Sequence, residues 1–423
     1  MEGMYTGIRI LEFCSDMAGA FAGQICADRG AEVIKVEPLG GDPLRSVDSY
    51  QDNESKLFQS LNRGKKSLCI DLACSGSSTL LDRLVASADV IIMGLERDQC
   101  AEFKLDYGSV KSQNPNVVYI QIDYFGSQGD WAGRPANDLV MQAFSGMLLS
   151  EGKRNDSGTP RTIVSLRMAE RSTGLMVALA VSTGLFHRSR SGQGQLIETS
   201  QLKNLLALQS GRISDNPVAD EPLRTPRQGR IKELRQRNAP FHDYLPDGTA
   251  GRVAFGVVFY RPYQTKDGAV FMGALSRPLR DKARIALQSE YLHRDDPNYD
   301  PDNPEFVAFC VEQAAIIVAK FRTKTTAEWM EIFEREGVPA GRVMFPEDLS
   351  SAPQVVENDY VIAVDHETAG RQIHVAPHAQ FGLFPLGSLT GSPSLGRDTD
   401  ECLRELGFTE EDAEAMRRQG AVR

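Results

Sequence analysis

The sequence predicts an α/β fold: a Rossmann-like core, with a parallel sheet flanked by helices, and a smaller α+β unit. Three observations carry this expectation. Short apolar runs of strand length recur at residues 8–13, 32–36, 67–72, 90–93 and 117–123, as expected of strands buried in a sheet. Stretches with helical spacing, 18–29 and 80–87, lie between them, and strands joined through helices pair in parallel. The chain has 423 residues, more than one hydrophobic core usually serves, so two packed units are expected.

Taken in order, residues 8–36 read as a βαβ opening. Gly30 precedes the strand-like run at 32–36 and Gly40 and Gly41 follow it, but their spacing fits neither Gly-x-Gly-x-x-Gly nor the Walker pattern, and a turn is the expected use. Residues 215–247 shift to Arg, Pro, Asn and Asp with little periodicity and read as a long surface linker. Beyond them, runs at 253–260 and 269–275 and helices near 280–290 and 304–321 form the smaller unit. Residues 326–336 place Trp329, Ile332 and Phe333 on one helical face, ended by Gly337. The tail mixes short strands and turns with a last helix near 410–418. The expected divisions are 1–214 for the first part of the large domain, 215–325 for linker and small domain, and 326–423 for the small-domain return and the C-terminal part of the large domain.

Composition excludes several function classes. With 41% apolar and 25% charged residues the chain reads as globular, and its net charge of −10 disfavours nucleic acid, which needs a concentrated basic face. The longest mostly apolar stretch, 175–186, is interrupted by Ser182 and Thr183 and is too short to span a bilayer. The opening residues have neither a basic leader nor an apolar signal core, and a cytoplasmic protein is expected. Seven cysteines without a Cys-x-x-Cys pair read as free thiols in a reducing compartment, with no metal site.

Two stretches carry the chemistry: Arg134-Pro-Ala-Asn-Asp-Leu-Val-Met-Gln-Ala-Phe-Ser-Gly146 and Ala169-Glu-Arg-Ser-Thr-Gly174, continuing to Arg190-Ser-Gly-Gln-Gly-Gln195. Around them stand Gly7-Ile-Arg-Ile-Leu-Glu12, Arg29-Gly-Ala-Glu-Val-Ile-Lys-Val-Glu37, Gly41-Asp-Pro-Leu-Arg45, Lys65-Lys-Ser-Leu-Cys-Ile-Asp-Leu72, Glu336-Gly-Val-Pro-Ala-Gly341 and Leu395-Gly-Arg-Asp-Thr-Asp400. In order and spacing the chain resembles the family III CoA-transferases of the CaiB/BaiF type, the group of formyl-CoA transferase, carnitine CoA-transferase and 2-methylacyl-CoA racemase. The resemblance implies an interlocked homodimer whose large domain is built from both chain ends, with CoA or acyl-CoA and a small carboxylic acid as substrates and no tightly bound cofactor. It also implies covalent transfer through a carboxylate at position 170, where this chain has Glu170 in place of the usual aspartate. On the same resemblance Met17, Ala18, Leu72, Ala73 and Asp138 match positions that line the CoA site; Asn137 beside Asp138, and Arg45 and Lys66 by their charge, are counted with them as candidates.

Glutamate is longer than aspartate by one methylene, about 1.5 Å, so the surrounding helix and pocket must be displaced for Glu170 to serve as nucleophile. A position at a helix start would leave free N–H groups to hold its carboxylate ionised; an ordinary first-turn acid is the alternative role. The family's turn after the fourth strand is replaced by Gly94-Leu-Glu-Arg-Asp-Gln99, and two phosphate-binding arginines of formyl-CoA transferase correspond to Pro38 and Glu102. Lys35, Arg45, Arg63, Lys65, Lys66 and Arg97 remain as basic candidates. The leading function is CoA transfer between carboxylic acids through a glutamyl intermediate. The alternatives are a non-catalytic subunit of a heteromeric transferase and an atypical acyltransferase using another carrier. A racemase ranks below these, because Asn137 stands where that branch has a proton-transferring histidine. Phe255, Phe259, Tyr260 and Tyr263 are aromatic candidates for pocket wall or core.

Overall fold

The computed structural model describes residues 3–222, 224–244, 258–300, 303–384 and 389–423. The chain forms two compact units, one from Met1–Pro217 with Glu357–Arg423 and the other from Val218–Val356.

In the first unit, β1 (Arg9–Phe13), β2 (Glu32–Glu37), β3 (Lys66–Cys69), β4 (Val90–Met93), β5 (Val118–Asp123) and β6 (Gln195–Ser200) make one sheet. The order is β3-β2-β1-β4-β5-β6 and every pairing is parallel, the arrangement of a doubly wound sheet whose winding reverses between β1 and β4. The first five strands fall where the apolar runs put them. The sequence pattern did not reveal β6, whose apolar content is only Leu196 and Ile197.

Side chains alternate across the sheet and supply two cores. Ile10, Val33, Val90, Ile92 and Val118 pack on one face with α1 (Met17–Ala27) and the 24-residue helix Met168–Ser191, through Ala20, Phe21, Val177 and Val181. Leu11, Ile34, Leu68, Ile91 and Met93 pack on the other with Leu80 and Leu84 and, from the end of the chain, Cys402, Leu403 and Met416. The two helices on the first face meet at Gly174, where an added Cβ would stand 2.8 Å from the Ala18 carbonyl oxygen and 2.9 Å from Phe21. Only glycine allows that approach.

A fully buried ion cluster links β1, β2 and the residue preceding β3. Glu12 accepts from Lys35 Nζ at 2.8 Å and from Lys65 Nζ at 2.7 Å, and Lys35 lies 2.6 Å from Asp42. Beside it Arg45 donates to both oxygens of Glu37, at 2.7 and 2.8 Å, with its guanidinium over the Phe58 ring.

The second unit holds an antiparallel three-stranded sheet of Tyr260–Gln264, Ala269–Gly273 and Ala340–Arg342. Helices Arg277–Leu287, Pro304–Phe321 and Thr326–Glu336 accompany it. Trp329 and Phe333 are buried, Ile332 packs against the same core, and Gly337 ends the last helix at φ 65°. Phe259 and Tyr263 are core residues, Tyr260 is exposed, and Phe255 lies outside the described residues. Most of the expected strand at 253–260 also lies outside them.

One expectation changes. The stretch taken for an irregular linker contains a 13-residue helix, Arg224–Gln236. Its Arg, Gln, Lys, Glu and Leu residues have high helix propensity, yet only Leu234 is buried, so no apolar stripe marked it in the sequence.

Candidate active site

The helix Met168–Ser191 buries one stripe, Glu170, Thr173, Gly174, Val177, Val181 and Gly184, at the spacing of a face turned to the core. Glu170 therefore occupies the first turn on the buried side. Its carboxyl is enclosed, Oε2 makes no hydrogen bond, and the nearest cation is Arg167 Nη1 at 3.8 Å. Burial and the charge of Asp16 raise its pKa to about 7; Asp138 adds to the rise, and Arg167 and Arg171 oppose it. At neutral pH the group is thus about half ionised.

This corrects the expected electrostatics. The N–H groups of Ala169 and Glu170 are not free: both donate to Asp138 Oδ1, at 2.7 and 3.2 Å. The first turn of the helix does not hold the Glu170 carboxylate ionised, because a neighbouring carboxylate already occupies its donors.

Beyond the carboxyl ends of the strands lie two cavities, the position that a winding reversal makes available to ligands. A narrow cleft after β4 and β5 is lined by Asp16, Glu96, Tyr124, Phe125, Arg134 and Gln201, among others. Asp16 and Tyr124 are close enough to Glu170 for the charges to interact. The second cavity, about 410 Å³, is mainly apolar and is bordered by Phe13, Val36, Pro38, Ile70, Leu72, Ala73, Leu95 and Phe103.

Of the residues expected to line a CoA site, Leu72 and Ala73 thus border the larger cavity and Asp138 sits against Glu170. Met17 and Ala18 are buried in α1, and Ala18 faces the long helix through its carbonyl oxygen. Asn137 caps its own helix, Asp138–Phe144, accepting from the N–H groups of Leu139 and Val140.

The basic candidates are engaged elsewhere. Arg45 is bound to Glu37, Lys66 is surrounded by Glu32, Glu401 and Glu405, Arg63 is paired with Asp28, and Arg97 bridges Asp123 and Glu198. Together with Lys35 and Lys65 in the buried cluster, all six have carboxylate partners, and that geometry speaks against Arg45 and Lys66 as phosphate ligands.

Sequence reasoning did not single out Asp16, Tyr124, Arg134 and Gln201, which line the narrow cleft. A signal existed for Asp16, an N-cap residue before an apolar helix, and its side chain does accept from Gly19 N–H at 3.0 Å. Gln201 follows the unrecognised β6, and nothing local marked it. Among the described residues no group of His, Cys, Asp and Glu could hold a metal ion, the seven cysteines are free, and no helix is long and apolar enough to cross a membrane.

Glu170 itself lines neither cavity; the narrow cleft is bordered by its neighbour Asp16, and of the two only the apolar cavity is large enough for a ligand. A doubly wound sheet with an enclosed carboxyl and a ligand-sized cavity beyond its strand ends is the architecture of an α/β enzyme. The chain belongs to CoA-transferase family III, whose model matches residues 5–399. It is 27% identical over 406 residues to succinyl-CoA:glutarate CoA-transferase of Mus musculus, covering 95% of this chain and 86% of that one. It is also 27% identical over 431 residues to formyl-CoA:oxalate CoA-transferase of Bradyrhizobium diazoefficiens, covering 100% and 98%. In fold it is similar to a crystal structure of a CaiB/BaiF family protein from Brucella suis, with a TM-score of 0.74 at 23% identity over 96% of this chain and 100% of that one.

Proposed function

We propose that this protein transfers CoA between two small carboxylic acids through a covalent thioester on Glu170. The observation that carries the reading is the state of that carboxyl: buried in the first turn of a long helix, with one oxygen free of hydrogen bonds and a pKa raised to about 7. A desolvated carboxylate of raised basicity is a better nucleophile than one in water. The names of the relatives, which pair a CoA thioester with a second acid, support the substrate class.

In the reaction Glu170 Oε2 attacks the thioester carbonyl carbon of the donor, the carbon–sulfur bond breaks, and CoA leaves as thiolate, which makes a mixed anhydride of Glu170 and the donor acid. The thiolate then attacks the glutamyl carbonyl carbon; the donor acid departs as carboxylate, and a glutamyl-CoA thioester remains. The acceptor carboxylate runs the sequence in reverse and restores Glu170. No net proton transfer is required. Leu72 and Ala73 border the apolar cavity that we assign to the nucleotide end of CoA. The working form in this proposal is a homodimer, supported by Leu175, Met176, Leu179 and Phe186, which stand exposed on the long helix.

The test is chemical trapping. Incubation with acyl-CoA donors and hydroxylamine, followed by mass spectrometry, is expected to place a hydroxamate on Glu170, and Glu170→Gln is expected to abolish transfer. Transfer that survives this substitution refutes the reading.

A further inference from the structure

We infer that Asp138 is a positioning residue for this site: its carboxylate caps the long helix from outside and fixes the turn that carries Glu170. The inference rests on the reading of Glu170 as nucleophile and adds the device that holds it in place.

The residue in the ordinary capping position, Arg167, makes no side-chain cap. Asp138 supplies it from another element. Its Oδ1 accepts from the N–H groups of Ala169 and Glu170, and its Oδ2 accepts from Gln142 Nε2 at 2.6 Å. Gln142 in turn holds Ile163 by both backbone groups, donating to its carbonyl oxygen at 2.9 Å and accepting from its N–H at 3.2 Å. Asp138 and Gln142 are 1% and 0% exposed, and three of about four acceptor sites on the carboxylate are occupied by protein. Such an aspartate has little left with which to grip a ligand. Two successive residues thus cap two helices, Asn137 its own and Asp138 the one that presents Glu170, while Gln142 ties in the chain that approaches it.

The cap has an electrostatic consequence as well. The charged or titratable groups around Glu170 are Asp16 at the head of α1, Arg167 and Arg171 on its own helix, Tyr124 after β5, and Asp138. Asp138 and Asp16 both disfavour a second negative charge.

Two substitutions separate the roles. Asp138→Asn keeps an oxygen for the two N–H groups, removes the charge and gives up the bond from Gln142 Nε2, whereas Asp138→Ala removes all three. The expected result is that Ala lowers kcat about ten- to hundredfold, the penalty of a reacting atom displaced by about 1 Å, with KM for acyl-CoA unchanged. Asn restores most of kcat and moves the acid limb of the rate profile to lower pH. The Glu170 carboxyl is followed directly by carbon-13 NMR, identified by its absence in Glu170→Gln; it is expected to titrate at lower pH in the Asn variant than in wild type.

An Ala variant with unchanged kcat, or one with raised KM at constant kcat, overturns the inference, as does an unmoved Glu170 titration in Asn. If Ala fails to fold, Asp138→Ser takes its place. If wild type transfers no CoA, the transferase reading fails, and faster amide hydrogen exchange at Ala169 and Glu170 in the capless variant than in wild type still judges the positioning role.

Discussion

Glu170 illustrates how strongly burial governs a single carboxyl. Its group titrates at about 7 in the folded chain against an ordinary 4.5, and the sign of the consequence follows. A carboxyl whose folded pKa is raised favours the folded state only while protonated, so its contribution is fully present below the unfolded value and is lost as pH rises toward 7. The difference amounts to about 3 kcal/mol. Glu170→Gln is therefore expected to be more stable than wild type at pH 8 by up to about this amount, and equally stable below pH 4.5, as measured by urea denaturation at the two pH values. Activity runs the other way: kcat/KM of wild type is expected to fall with decreasing pH through an apparent pKa near 7, because attack needs the ionised form. Glu170→Asp tests reach. It withdraws the oxygen by about 1.5 Å and is expected to lose on the order of a hundredfold in kcat with little change in the melting temperature.

At the scale of elements, the long helix and α1 are locked together by absence of side chain. Ala18, Gly19, Ala20, Ala22 and Gly23 are all buried in α1, and Gly174 meets the α1 backbone with no room for a Cβ. Gly174→Val is expected to push the helices apart one turn from Glu170, at a cost of about 1–3 kcal/mol and a larger proportional loss of kcat, read from thermal melting and steady-state kinetics together. These elements also show what the sequence made legible. Strands β1 to β5 are buried apolar runs, so their composition alone exposed them, and the cap and apolar spacing of Thr326–Glu336 did the same for that helix. The strand β6 and the helix Arg224–Gln236 escaped because neither carries a recognisable apolar pattern. Of the residues the resemblance named, Glu170 is enclosed in the first turn of the long helix and Leu72 and Ala73 border a cavity, while the hydrogen bonds of Asp138 to that turn were not legible. A cap that reaches across 31 residues leaves no local periodicity to read.

Across the whole first unit, the same limit explains why lysines and arginines suggested a phosphate site that their geometry does not offer. Lys35, Lys65 and Arg45 each lie in or beside apolar segments, and nothing local shows that Glu12 and Glu37 are waiting across the sheet. The pairs on Glu12 join segments far apart in sequence, since Lys65 reaches Glu12 across 53 residues and also holds Asn62 Oδ1 and the Ala20 carbonyl oxygen of α1. Burial by itself would raise the Glu12 carboxyl, but Lys35 and Lys65 outweigh it and the pKa is lowered, so its contribution is present above the ordinary 4.5 and lost as pH falls below the lowered value. Removing one member of a buried ion group leaves the others uncompensated, typically at about 3–5 kcal/mol. Glu12→Gln leaves Lys65 without a carboxylate beside Lys35, which Asp42 still pairs, and is expected to destabilise the chain by about that amount at pH 7. The double variant Glu12→Gln/Lys65→Met removes one of those charges and is expected to recover part of the loss. Equilibrium unfolding of these two variants and of Lys65→Met alone checks the point: if the double variant loses the sum of the two single losses, the cluster is not coupled, and the link between the sheet and α1 is packing alone.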